Sequence, residues 1–327
     1  MLIPGQLKLN DKVLVLRNSS RSAFMTCARK YYYAWREKLV PKKGSTAMRA
    51  GSAWHAMLES FYQTAKEENF CQAHLKIANH IQAGLEVFEE ETEKFDFIDD
   101  YRTMDNLIEM FSQYLTIYEN ESQWMEIEEA ELQDNVEIEL SQSDIENYPI
   151  LKDWKIYLNF QVDLLYRANG GLWIMEHKTT GANITQIANA LHRTNQVQTY
   201  FNCLNIKRPD LATQIQGAMV NIAQFSSRRK TNGEYGKLTV NFARSPETYT
   251  AGDRIEWRDG LLYSSSLIIQ ARMSGNYPVN LDRCYEYNSS CTYSELCDQS
   301  PETFQDLHTD NFQQQEQKQS YMIGANA

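Results

Sequence analysis

Four side chains in this sequence have the types and spacing needed to cleave a phosphodiester: His55, Asp163, Glu176 and Lys178. Asn169-Gly170 is a strong two-residue hairpin signal. With those two at the centre of the turn, Ala168 faces Gly171 and Asp163 faces Glu176. Both acids then point away from the stripe Ile156, Leu158, Phe160 and Val162. Facing Cβ atoms lie ~4.5–5.5 Å apart and like charges there destabilise a sheet, so the pair predicts a cation between the carboxylates. Lys178, two residues beyond Glu176, shares its face. A hard divalent ion, Mg²⁺ or Mn²⁺, would take both carboxylates, and a nitrogen from His55 tilts the choice toward Mn²⁺. Such an ion acidifies a water, which Lys178 can orient or deprotonate as it attacks phosphorus. Glu-x-Lys alone arises by chance on any solvated strand; the Asp on the preceding strand gives it weight.

The elements that must carry these residues follow from periodicity. Ser19 to Ser22 offer N-cap hydroxyls to a helix over "AFMTCARKYYYAWRE", closed by Pro41. Arg29, Lys30 and Arg36 interleave there with Tyr31, Tyr32 and Trp35, a mixture that suits a single-stranded nucleic acid, with charges on phosphates and rings under bases. The same spacing also describes an amphipathic helix whose aromatics are core. A second helix runs from about Met48 to Lys66, with Trp54, Leu58, Phe61 and Tyr62 as its apolar stripe and His55 on another face. Residues 72–130 read as long helices. After Asp134 the period falls to two, through Val136, Ile138 and Leu140 and then the hairpin that holds the acids. "IQGAMVNIAQF" and "KLTVNF" read as further strands, and a helix is expected from about Pro246 to Met273.

Charge is unevenly spread. The chain has 327 residues and a net charge of -11, which taken whole is wrong for a nucleic-acid binder. Residues 1–83 carry 13 basic and 5 acidic side chains, whereas residues 84–150 carry 2 and 21. The deficit therefore sits in one block, read as a solvated helical face. A hydrophobic content of 42% excludes a fully disordered chain. No apolar run approaches the ~20 residues of a membrane span, and the start does not resemble a signal peptide, so a cytoplasmic protein without a membrane partner is expected. Three of the six cysteines, Cys284, Cys291 and Cys297, fall close together, which in a reducing compartment favours metal ligation over disulfides.

The segments "SSRSAFMTCARKYYY", "GSAWHAMLESFY", "FQVDLLYRANGGLWIMEHKTTG" and "QVQTY", followed by the cysteine triplet, occur in the order that resembles the RecB-like branch of the PD-(D/E)xK nuclease superfamily, which includes CRISPR-associated exonucleases and phage relatives. The similarity spans roughly Ser20 to Cys297. It implies an α/β fold, a restriction-endonuclease-like core with a mixed β-sheet flanked by helices, with a helical insertion and a C-terminus clipped by an iron–sulfur cluster. The implied divisions are N-terminal helices over 1–66, an acidic helical insertion over 67–133, the nuclease core over 134–273, a cysteine-rich tail over 274–300 and a flexible tail over 301–327. His55, Asp163 and Glu176 match the family's metal ligands, the carbonyl of His177 a further one, and Lys178 the catalytic lysine. Gln196 and Tyr200 match the helical motif near the scissile phosphate. Cys27, Cys284, Cys291 and Cys297 match the four thiolates that hold a 4Fe-4S cluster, although four cysteines also suit one Zn²⁺.

The expected activity is metal-dependent cleavage of DNA, exonucleolytic on single strands or ends, in repair, recombination or phage DNA processing, within the host cytoplasm if phage-encoded. Two other readings stay open. One is an idle nuclease-like module that holds DNA or a helicase or recombination partner; the other is an RNA nuclease using the same chemistry. Ala28 after the first cysteine and Phe160 three residues before Asp163 depart from the residues many members carry there.

Overall fold

The computed structural model describes residues 7–8, 12–98, 100–191, 195–286, 289–298 and 310–314. The chain forms two compact units, and it passes between them several times.

The first unit comprises residues 1–42, 134–160 and 250–327. Strand β1 (Leu7–Lys8) runs antiparallel to β2 (Val13–Leu16), and β2 lies parallel to the first half of β5 (Lys155–Ala168). Helix α1 (Asn18–Thr26) begins earlier than its serine caps suggest, because Ser20 bonds back to both backbone groups of Arg17. The expected single helix is then interrupted: Cys27 is extended, α2 (Ala28–Tyr31) restarts, and a π-helical turn covers Tyr32–Arg36. Strand β3 (Leu39–Pro41) pairs with Phe312–Gln314. The glutamine-rich end expected to be loose otherwise lies outside the described residues.

The second unit comprises residues 43–133 and 161–249. Helix α3 (Thr46–Glu67) starts at a Ser45 cap that accepts the Met48 N–H. It packs against α4 (Phe70–Leu75), α5 (Ile77–Lys94) and α6 (Met104–Ile117). Its expected stripe is the centre of the core: Trp54, Leu58, Phe61 and Tyr62 are all at most 1% exposed. The helical reading of residues 72–130 fails at its end. Residues from Glu126 onward form β4 (Glu126–Ile138), which pairs with β5. Beyond it come α7 (Gln142–Asn147) and then β5.

The hairpin forms in the register that the turn dictates. Ala168 pairs with Gly171 and Leu164 with Met175 between β5 and β6 (Gly171–Thr180). Asn169 and Gly170 both take positive φ, 51° and 75°, as a type I′ turn requires. After α8 (Ile184–Leu191), α9 (Asn195–Lys207) and α10 (Pro209–Ala212), strand β7 (Ile215–Ser226) lies parallel to β6, and β8 (Thr239–Glu247) antiparallel to β7. The sheet is therefore mixed. Consecutive side chains of β6 alternate between its faces. His177 stacks on Tyr62 of α3, while Glu176 and Lys178 reach Gln196 of α9, so helices cover both faces. In the first unit, α11 (Ala251–Ser274) starts five residues later than expected, at a Thr250–Asp253 capping box, because Pro246 still belongs to β8.

Candidate active site

β6 supplies three consecutive residues, Glu176, His177 and Lys178, and each is held differently. The carboxylate of Asp163, from β5, accepts the His177 backbone N–H at 2.7 Å. The same Asp163 oxygen lies 3.6 Å from Nδ1 of His55 on α3. From α9, Nε2 of Gln196 donates to Glu176 Oε1 at 2.9 Å and to the Tyr200 hydroxyl at 2.7 Å. Its carbonyl oxygen accepts from Lys178 Nζ at 3.0 Å, and Lys178 also pairs with Glu176 at 2.5 Å. Gln196 and Tyr200 share a face of α9 because they are one turn apart. All seven residues singled out in this region by sequence are thus brought together.

A carboxylate that the sequence reading did not identify joins them. Ligand atoms of His55, Glu131 and Asp163 all lie within 4.8 Å of one another. Glu131 is in β4 with φ at 53°, a left-handed conformation rare for a residue with a side chain. Gln161 donates to its carboxylate. The period-two signal starts only after Asp134, and the left-handed residue breaks alternation, so no pattern marked Glu131. Exposed Glu59, one turn along α3 from His55, adds charge that Asp163 and Glu131 both feel.

This crowd of carboxylates lies largely out of water. Asp163 and Glu176 are 8% and 2% exposed. Burial pushes Asp163 up to about 6, against the opposing pull of the His177 N–H and Lys178. Burial and then the neighbouring Asp163 push Glu176 up to about 7, and the same two causes push Glu131 up to about 8. Burial lowers both His55 and His177, the latter strongly. Oε2 of Glu176 is buried with no hydrogen-bond partner among the described residues. An orphaned carboxylate oxygen beside a second buried acid, a third acid and an imidazole is a donor set that fits a divalent cation.

The sequence matches the model of the PD-(D/E)XK nuclease superfamily over residues 18–298. The chain belongs to that superfamily. Its mixed sheet flanked by helices is the restriction-endonuclease-like architecture expected of a PD-(D/E)XK core. Among solved structures, a protein named "Putative exonuclease" from Eubacterium rectale aligns with 90% of this chain and 96% of its own, at 10% identity and a TM-score of 0.41. The protein SSO0001 aligns over 75% of this chain and 84% of its own, at 11% identity and a TM-score of 0.30. A comparison with the curated proteins finds no match. No helix among the described residues is long and apolar enough to cross a membrane.

The four cysteines singled out by sequence all lie within the first unit of this superfamily member. Cys27 sits at the extended break between α1 and α2, and its sulfur accepts the Asn280 N–H at 3.4 Å. The Cys284 thiol faces the Asn280 carbonyl at 3.7 Å, and the Cys291 N–H donates to the Cys284 carbonyl at 2.7 Å. Burial raises the Cys297 thiol; Arg29 opposes this, while Cys27, Cys291 and Cys284 all add to it. Burial and neighbouring thiols together raise Cys284 and Cys297, and such a thiol donor set fits a cationic metal centre.

The N-terminal aromatic residues divide. Tyr31, expected to stack on a base, is fully buried, edge-on to Phe24 at 5.3 Å and bonded to Arg272. Phe24, Cys27 and Ala28 are buried with it, so it offers no face to a ligand. Arg29 is occupied by the Tyr277 carbonyl at 2.9 Å, and Tyr32 is half-buried with its ring 4.9 Å from that of Tyr277. Lys30 and Trp35 are half-buried, and Arg36 is exposed.

Proposed function

We propose that this chain is a divalent-metal-dependent DNA exonuclease acting on single strands or ends, in repair, recombination or phage DNA processing. The observation that carries the reading is the assembly of Asp163, Glu176 and Lys178 with His55 and Gln196 around a buried, unpartnered carboxylate oxygen. His55, Asp163, Glu176 and the His177 carbonyl would hold Mg²⁺ or Mn²⁺, with Glu131 as a further carboxylate. Such an ion supplies Lewis-acid polarisation of the phosphate and a lowered pKa for the attacking water.

The chain's own groups do the rest. Gln196 and Glu176 both hold Lys178 Nζ, which fixes the amine that would orient or deprotonate an attacking water. Tyr200, held by Gln196, stays a protonated donor for a phosphate oxygen, because burial raises it well above its ordinary value. The Asp163 bond to the His177 N–H fixes the strand segment from which Glu176 and Lys178 project. Cys27, Cys284, Cys291 and Cys297 would bind a 4Fe-4S cluster that ties the N-terminal helices to the C-terminal segment. The exposed basic residues of that N-terminal region contribute to DNA contact.

The test is cleavage of end-labelled single- and double-stranded DNA with Mn²⁺ or Mg²⁺. Ladders shortening from one end, lost in Lys178→Ala, support the reading; intact DNA under both ions, with no effect of Lys178→Ala, removes it.

A further inference from the structure

Residues 227–238, which join β7 to β8, carry Arg228, Arg229, Lys230 and Lys237 against one acid, Glu234, in a chain whose net charge is -11. All four basic residues are exposed. The segment is a built tip. The Lys230 N–H donates to the Glu234 carbonyl at 2.7 Å, the Gly236 N–H to the Arg228 carbonyl at 2.8 Å, and Ser227 Oγ to the Gly236 carbonyl at 2.8 Å. Gly233 takes the positive φ of 89° that the turn needs. Tyr101 braces the base, its ring 5.5 Å from Tyr235 and 5.7 Å from Phe225, both edge-on.

The charges are held outward. Arg229 Nε bonds the Gly233 carbonyl at 3.0 Å, and Lys230 stands 3.8 Å from Glu234. Among the described residues no acid pairs with Arg228 or Lys237. Their position relative to the active site follows from strand register. Lys178 pairs with Ile222 in the parallel β6–β7 ladder, and Ser226 lies four residues further along β7. At ~3.3 Å per residue the tip begins about 13 Å beyond Lys178, at the same end of the strands. That is about four nucleotides of stacked strand at ~3.4 Å each. A site lined with carboxylates repels a polyanion, so an arriving strand needs compensating charge within this range.

We propose that the β7–β8 tip, through Arg228, Lys230 and Lys237, grips the phosphate backbone of the DNA strand that enters the site. The proposal rests on the DNA-cleavage reading above. The test compares Arg228→Gln/Lys230→Gln/Lys237→Gln with its parent, both carrying Lys178→Ala so that the strand is not cut. The probe is a fluorescein-labelled 20-nucleotide oligothymidylate, titrated over a range of salt concentrations, and a Mn²⁺ titration of each protein checks that the site is intact. With three cationic partners of phosphate removed, the slope of log affinity against log salt becomes shallower by about 2, at ~0.7 per phosphate on a single strand. Mn²⁺ affinity stays at the parent value. A parent that binds DNA and a triple variant with the same slope and affinity would overturn the tip assignment while leaving the cleavage reading standing. An equal loss of slope from Lys152→Gln/Lys155→Gln/Lys207→Gln would overturn it too, by showing an effect of net charge alone. A parent that binds no DNA would overturn both readings.

Discussion

The carboxylate of Asp163 accepts the backbone N–H of His177 while lying 3.6 Å from the imidazole of His55. One side chain therefore serves both the hairpin and the site, and its two roles separate by substitution. Asp163→Asn retains an acceptor for the N–H and loses the charge. Cleavage should fall ~10²–10⁴-fold, the range for loss of a group that stabilises charge or handles a proton in the transition state. Mn²⁺ affinity measured by calorimetry should fall with it. The melting temperature of the metal-free protein should hold or rise, since Glu176 and Glu131 lose a like-charged neighbour. A lower melting temperature with unchanged Mn²⁺ affinity would contradict this division.

The same crowding sets a pH dependence. Asp163, Glu176 and Glu131 have ordinary values near 4 and are raised in the fold to about 6, 7 and 8. Over that window the folded state binds more protons than the unfolded chain, so metal-free stability falls as pH rises from about 4 to about 8. Metal ions compete with those protons, so Mn²⁺ affinity should climb across the upper part of the window. Urea unfolding in chelator at several pH values tests the first slope, and Glu131→Gln should flatten it most near its upper end.

A buried polar chain behind His177 gives a stability prediction. Tyr62 and Tyr114 share a 2.7 Å hydroxyl contact, Tyr62 donates to both Glu121 oxygens at 3.1 Å, and Arg244 pairs with Glu121. Asn221 donates to Tyr114 at 2.9 Å and to His177 Nδ1 at 2.8 Å, while its carbonyl accepts from Arg244 at 3.3 Å. Arg244→Met strands a Glu121 that is 2% exposed, at a cost of about 3–5 kcal/mol. Adding Glu121→Gln should recover a large part of that loss in urea unfolding. Recovery of none would mean that the arginine acts mainly by packing over Tyr118, whose ring centre is 3.8 Å away.

What could be read from the sequence was whatever depends on short-range rules. The Asn169-Gly170 turn fixes the hairpin register through steric preferences of two residues, and the i, i+4 spacing of Gln196 and Tyr200 fixes their shared face. Glu131 escaped because its role depends on a left-handed residue within a strand, which no periodicity encodes. Tyr31 was misread because an aromatic on a basic helix has the same spacing whether it faces solvent or core. Only the neighbours Phe24 and Arg272, one of them 241 residues away along the chain, decide the matter.

The four cysteines yield the last prediction. Cys27 comes from a helix break near the start, while Cys284, Cys291 and Cys297 come from the C-terminal segment, so a centre bound by all four closes a loop of over 250 residues. A crosslink of that length stabilises chiefly by restricting the unfolded chain, by ~5–6 kcal/mol if the centre behaves like a covalent clip. Anaerobically purified protein should be brown, with about four iron atoms per chain at full occupancy. Cys291→Ser should lower iron content and melting temperature together, while Cys203→Ser, a buried thiol outside the group, should leave iron unchanged. The Mn²⁺ affinity of the second unit should survive iron loss, because none of its candidate ligands is a cysteine. A colourless protein with one zinc per chain would assign the same four thiols to a tetrahedral zinc centre instead.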